Sequence, residues 1–215
     1  TVYESFQLPT VVQSGNARTS LPPANWLDWQ TSSQTLESLA AFRTTTYTLT
    51  GVGEPIRVNS LLVSAEFFPT LGVGPLLGRV PGPEDDRPNA PAVAVLSHRF
   101  WMQRFSGDRS VIGRVVQVSD RPVEIIGVMP AGFRFIYQNV DMWGAYRLDR
   151  AQPWRSTAGR FINVVARLKA NTTIDSAQTE MRSIASQLAA RYEFNRNTGI
   201  TIVPLREELT GQVRS

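Results

Sequence analysis

The stretch "NTTIDSAQTEMRSIASQLAARY", residues 171–192, limits what this chain can fold into. Ile174, Ala177, Met181, Ile184 and Leu188 step by three and four, the period of a single buried helical stripe. Thr172 and Asp175 stand at capping-box spacing and mark the start of the helix. The other apolar runs are short, and turn residues bound them. One well-marked helix among strand-length segments points to an α+β fold.

The opening "TVYESF" alternates Val2, Glu4 and Phe6 as a strand does, and "VVQSGNARTSLPPA" reads as a polar, turn-rich connection. "NWLDWQTSSQTLESLAAF" reads as one or two short helices, the first capped by Asn25 and the second by Ser33 or Thr35. Trp26, Trp29, Leu36, Leu39 and Phe42 supply their buried face. "RTTTYTLTG" and "EPIRVNSLLVS" form a hairpin about Gly51 and Gly53. "VPGPEDDRPNAP" is a surface loop and "AVAVLS" a short buried strand. Ser97 then caps the helix "HRFWMQRF", which turns Phe100, Trp101 and Phe105 inward. "GRVVQVSDRPVEIIGVMP" is the clearest hairpin, with Val116 and Val118 leading out and Val123, Ile125 and Val128 returning. "FINVVARLKA" and "GITIVPL" are further strands. The expected layout has two lobes, a discontinuous one from residues 1–97 and 159–215 and a smaller β-rich lobe, 98–158, inserted between. No internal repeat of fixed period is present.

Composition removes several function classes. A chain of 215 residues, 42% apolar and 19% charged, is globular and long enough for a real core. No run reaches the roughly 18 consecutive apolar residues that a bilayer crossing needs, and no charged-then-apolar signal segment opens the chain. The net charge of +4 comes almost wholly from arginine, since Lys169 is the only lysine. The arginines are scattered from Arg18 to Arg214 without a basic stripe, so nucleic acid is not an expected partner. There is no cysteine, and His98 is the only histidine. Disulfide frameworks, Cys/His zinc sites and thiol nucleophiles are thereby excluded. Absence of cysteine also fits an extracytoplasmic compartment.

The remaining chemical candidates are weak. In "SAEFFPTLGVGPLLGR", Gly72, Gly74 and Gly78 form G-x-G-x-x-x-G. A dinucleotide loop needs its third glycine one position earlier, between a strand and a helix, and here Pro75 interrupts it. His98 has no motif around it, although Ser97 and Asp108 are near in sequence. Glu84, Asp85 and Asp86 lack the spacing of a calcium loop and read as a solvated acidic turn. Asn171 matches a glycosylation sequon at a helix start. S-x-x-K, G-x-S-x-G and H-E-x-x-H are all absent. No catalytic, cofactor-binding or metal-binding residue is therefore assigned, any ligand-binding residues stay unassigned, and no cofactor is expected.

Taken as an ordered set, "NWLDWQTSSQTLESLAAF", "GEPIRVNSLLVSAEFFPTLGVGPLLGR", "PAVAVLSHRFWMQRFSGDRSVIGRVVQVSDRPVEIIGVMPAGFRF", "DMWGAYRL" and "INVVARLKANTTIDSAQTEM" resemble the MacB-like periplasmic core domain of bacterial ABC transporter permeases. The likeness is to the orphan branch with duplicated permease units. It implies a domain inserted between the first and second membrane helices, so that one helix precedes Thr1 and "LREELTGQVRS" leads toward the next. It implies a porter-like lobe of strand-helix-strand units with an inserted β-rich lobe. It further implies a non-enzymatic role at the periplasmic face of the inner membrane, coupling a cytoplasmic ATPase to efflux, lipoprotein release or signalling. The partners implied are the rest of the permease, its ATPase domain, and a periplasmic adaptor or second permease copy. Phe67, Phe68, Gly72, Gly74 and Gly78 are then architecture, an anchored short helix followed by sharp turns.

Two other classes stand beside this one. A stand-alone periplasmic ligand-binding module would use Trp26, Trp29, Trp101, Trp143 and Trp154 to line an apolar cleft. An envelope hydrolase would need a triad assembled only in space.

Overall fold

The computed structural model describes residues 10–14, 20–137, 139–155, 159–196 and 199–207, and the expected strand "TVYESF" lies outside them. In chain order the elements are β1 (Thr10–Ser14), α1 (Pro23–Ser32), β2 (Leu36–Thr50), β3 (Ile56–Val63), α2 (Phe67–Leu71), β4 (Leu77–Gly78) and β5 (Val93–Leu96). There follow α3 (His98–Phe105), β6 (Val115–Val118), β7 (Arg121–Val128), β8 (Met142–Ala145), β9 (Asn163–Leu168), α4 (Ile174–Arg191) and β10 (Ile200–Pro204). The fold is α+β, with a mixed sheet and few helices, as expected.

The chain divides into two compact units, Thr1–Ala41 with Arg150–Ser215, and Phe42–Asp149. This differs from the expected insertion at 98–158, because the second unit also takes in residues 42–97 and gives up 150–158. Strand pairing supplies the reason. β3 runs parallel to β8, and β5 pairs with both β7 and β8, so segments before and after residue 97 share one sheet.

In the first unit the strands run in the order β10-β1-β9-β2. β1 pairs antiparallel with both β10 and β9. The expected connection "VVQSGNARTSLPPA" therefore begins as a strand, with Val11 and Val12 buried. A two-residue apolar signal, Val11 and Val12, next to turn residues was too short to reveal it.

α1 begins earlier than expected. Pro22 is its N-cap and Pro23 its first residue, while Asn25 lies buried inside the helix and does not cap it. Proline suits this position because its missing N–H would have no helical partner. The second expected helix does not exist, since residues 36–50 are strand β2. Leu36, Leu39, Ala40, Ala41 and Phe42 are all buried. A nearly continuous apolar run of this kind fits a covered strand as well as a helix.

α4 buries Ala177, Met181 and Ile184, three members of the predicted stripe, while Ile174 is 38% exposed at its start. Its cap is Thr173, one residue later than expected. The Thr173 Oγ1 accepts from the Ser176 N–H at 3.1 Å. Asn171, two residues before this cap, takes φ 63° in the left-handed region.

In the second unit the strands close on themselves. β2 pairs with β3, β3 with β8, β8 with β5, β5 with β7, β7 with β6, and β6 with β2 again. The ring is small, and side chains fill it. Leu49, Val58, Leu96, Ile125 and Val128 are all within 1% of full burial, and α3 adds Phe100 and Trp101. Ser97 caps α3 as predicted, accepting from the Phe100 N–H at 3.1 Å. The β6–β7 turn uses Ser119 (φ 47°) and Asp120 (φ 62°), the two left-handed residues that a tight hairpin needs. Ser119 also donates its N–H to the Thr48 carbonyl at 2.8 Å, which fastens the hairpin to β2.

Candidate functional site

The glycine stretch has a structural explanation. Gly72 ends α2 in the left-handed conformation (φ 67°), and its N–H reaches back to the carbonyls of Phe68 and Pro69. A phosphate loop would instead lead into a helix N-terminus. At Gly78 (φ 67°) a Cβ would lie 2.1 Å from the Ile126 carbonyl oxygen, and at Gly127 one would lie 2.2 Å from that of Arg79. Only glycine lets β4 approach β7 so closely. Gly74 faces open space, with nothing within 4 Å of its added Cβ. Phe67 and Phe68 are buried, and Phe67 packs edge-on against Phe135 (5.0 Å), Phe68 (5.2 Å) and Phe42 (5.8 Å).

The candidates for chemistry are employed elsewhere. His98 packs edge-on against Trp101 at 5.5 Å, while Ser97 caps α3 and the Asp108 carboxylate caps the turn at Ser110. Asp85 forms a two-pronged pair with Arg79 at 2.5 and 2.9 Å and accepts from the Gly82 N–H. Arg79 beside it, helped by that N–H, holds the Asp85 carboxyl below its usual range against the opposing effect of burial. Asp86 accepts from the backbone of Ala65 and Arg147, and Glu84 pairs with Arg87. Among the described residues no group of His, Cys, Asp or Glu could hold a metal ion. An open groove of about 710 Å³ runs past this loop, lined by Arg79, Asp85, Arg87, Asn89 and Glu124 among others. Its charges are largely paired within the wall. Trp26, Trp29, Trp101 and Trp143 are buried in the cores, so they do not form a cleft surface. Trp154 is half-buried against Phe161.

The most organised polar arrangement lies where the chain leaves and re-enters the first unit. The chain passes between the units only at Ala41–Phe42 and Asp149–Arg150. Just before the first crossing, the Leu39 carbonyl accepts from both Trp26 Nε1 (3.3 Å) and Gln30 Nε2 (3.1 Å) of α1. Just after the second, Arg150 sits 4.6 Å over the Trp26 ring and donates to Gln30 Oε1 at 3.3 Å. Two side chains one helical turn apart thus hold Leu39 and Arg150, which lie in the first unit beside its two boundaries.

A second set of ties surrounds the start of β2. The Glu180 carboxylate of α4 accepts from Ser33 Oγ (2.7 Å), the Gln34 N–H (2.7 Å), the Thr35 N–H (3.0 Å) and Thr35 Oγ1. Burial opposes ionisation here, but the donors of Thr35, Gln34 and Ser33 prevail and hold the Glu180 carboxyl below its usual range. Ser33 and Thr35, expected as helix caps, grip α4 instead. Nothing local in the sequence could have revealed this, because the partners are 145 to 147 residues apart.

The comparisons with known proteins agree with this architecture. The model of the MacB-like periplasmic core domain matches residues 1–184, and the chain belongs to that family. Three solved structures share its fold. The periplasmic region of MacB from Actinobacillus actinomycetemcomitans aligns with a TM-score of 0.68 at 14% identity, covering 96% of this chain and 92% of that one. A domain of a putative permease protein from Porphyromonas gingivalis gives 0.68 at 16% identity, covering 92% and 90%. The extracellular domain of the noncanonic ABC-type transporter YknZ from Gram-positive bacteria gives 0.63 at 13% identity, covering 91% and 99%. No curated protein matches the sequence. Family and neighbours together make this an extracytoplasmic domain of an ABC-type transporter permease. No helix among the described residues is long and apolar enough to cross a membrane.

Proposed function

We propose that the domain is a non-catalytic coupling element, which converts the ATP cycle of a cytoplasmic partner into movement of a periplasmic substrate or partner. In this reading it is tethered to the inner membrane through the rest of its permease, and it meets an adaptor or a second permease copy outside. The observation that carries the proposal is the hold of Trp26 and Gln30 on Leu39 and Arg150. Coupling by hinge or shear motion needs a few defined positions that absorb movement between otherwise rigid parts. Two segments of the first unit, both fixed to one helix beside the unit's boundaries, make such a position. The closed ring of the second unit is suited to move as one piece.

The test uses the full-length permease with its ATPase, reconstituted in a membrane. The domain has no cysteine of its own, so, with cysteines elsewhere in the transporter replaced, Lys169→Cys in the first unit and Gln117→Cys in the second place one spin label in each. The expected result is a label distance that differs between ATP-bound and ADP-bound states. Distances that stay the same through turnover, while substrate is still transported, would contradict coupling through this domain.

A further inference from the structure

We infer that α4 is a cross-bar of the first unit, with Gln178 and Glu180 as positioning residues that carry displacement of β10 to the start of β2. The inference rests on the coupling role proposed above and names the residues that carry it within this unit.

The geometry begins with helical spacing. Ala177, Met181 and Ile184 form the buried stripe of α4. At 100° per residue, positions 178 and 180 lie on opposite flanks of that stripe. Each flank is tied to a different end of the strand order β10-β1-β9-β2. On one flank, Gln178 Nε2 donates to the Ile200 carbonyl and Gln178 Oε1 accepts from the Ile202 N–H, both at 2.8 Å. The side-chain amide thus stands where the backbone of a further strand would stand, on the outer edge of β10. On the other flank, Glu180 gathers the four donors of Ser33, Gln34 and Thr35 immediately before β2.

The Gln178 tie runs wholly to the backbone of β10, and the Glu180 tie joins the backbone N–H groups of Gln34 and Thr35 as well as the hydroxyls of Ser33 and Thr35, just ahead of β2. β2 is also the strand that continues beyond Ala41 into the second unit. The residue just ahead of it is further fixed by the Lys169 N–H, which donates to the Thr35 carbonyl at 2.9 Å. A shift of β10 relative to the rest of the sheet therefore reaches β2 through one rigid helix. Without the two ties, α4 would be held mainly by its apolar stripe, which can slide along a sheet because apolar contact has no direction.

The experiment uses the same labelled, reconstituted transporter, with Gln178→Ala and Glu180→Gln combined. The expected result is the loss of most of the ATP-dependent distance change seen in the unsubstituted protein. Glu180→Gln alone keeps the side-chain shape and should give a partial loss, so the idea stays testable if the double variant folds poorly. Met181→Ala weakens the same helix from its buried face while sparing both ties, and should keep the wild-type change. A double variant that moves like wild type would overturn the cross-bar, and so would a loss as large in Met181→Ala. If the unsubstituted protein shows no ATP-dependent change, the coupling role itself fails and takes the cross-bar with it.

Discussion

The two units solve the problem of sheet edges in opposite ways. The second closes its strands into a ring, which leaves little unpaired backbone, and fills the interior with aliphatic and aromatic side chains. The first keeps an open sheet order, β10-β1-β9-β2, and guards it with side chains of its helices. Gln178 blunts the edge of β10, while Glu180, Gln30 and Trp26 pin the start of β2. A closed ring is held by burial, which is strong and has no preferred direction. Side-chain ties are individually weaker but directional, so they decide which strand follows which. The second unit is thus held mainly by burial, and the first by directional ties as well.

The largest expected effect tests the buried half of that contrast. Phe67→Ala removes the centre of the aromatic cluster and should destabilise the second unit by about 3–5 kcal/mol. Urea unfolding, followed by hydrogen exchange, should place the loss within residues 42–149. A loss that spreads evenly over both units would erase the distinction between them. Gly78→Ala comes next, at about 2–4 kcal/mol, because its Cβ meets a carbonyl and its φ is left-handed. Gly74→Ala, with open space around it, is the matched control and should change stability little.

The directional half is tested by smaller effects. Glu180→Gln should cost about 1–2 kcal/mol near neutral pH. Because folding lowers the Glu180 pKa, its stabilisation is complete above the ordinary carboxylate value, about 4.3. That contribution is lost as pH falls through the depressed folded value. Stability measured from pH 7 to 3 should therefore fall less steeply in Glu180→Gln than in the unsubstituted domain. Parallel curves would mean that the carboxylate adds nothing in its ionised form. Gln178→Ala is the mildest, at about 1 kcal/mol. It leaves the Ile200 carbonyl and the Ile202 N–H free on an outer edge, so concentration-dependent association should appear by light scattering. Phe67→Ala, at matched stability, should show none while folded.

Much of the second unit was legible because its signals are local. The β6–β7 hairpin, the Ser97 cap and the β2–β3 hairpin each depend on segments that follow one another directly along the chain. The signature from Phe67 to Gly78 was equally clear, apart from Gly74, which no close approach requires. The first unit was harder for a physical reason. Leu36, Leu39 and Ala40–Phe42 have the apolar density of a helix, and only the pairing of β2 with a distant strand makes them extended. Ser33 and Thr35 have the chemistry of caps, and their real partner is 145 or more residues away. The unit boundaries depend in the same way on the pairing of β5 with β7 and β8. The hold of Trp26 and Gln30 on Leu39 and Arg150 likewise exists only in space.

The central claim is that this domain is an outward-facing part of a permease, and the reading frame around it tests that most directly. Sequencing the parent gene on both sides and scoring hydropathy should show an apolar stretch of about 20 residues ending shortly before Thr1 and another beginning soon after Ser215. A cleavable secretion signal upstream with no membrane span downstream would contradict the account. It would make the domain a free periplasmic protein and favour the ligand-binding module.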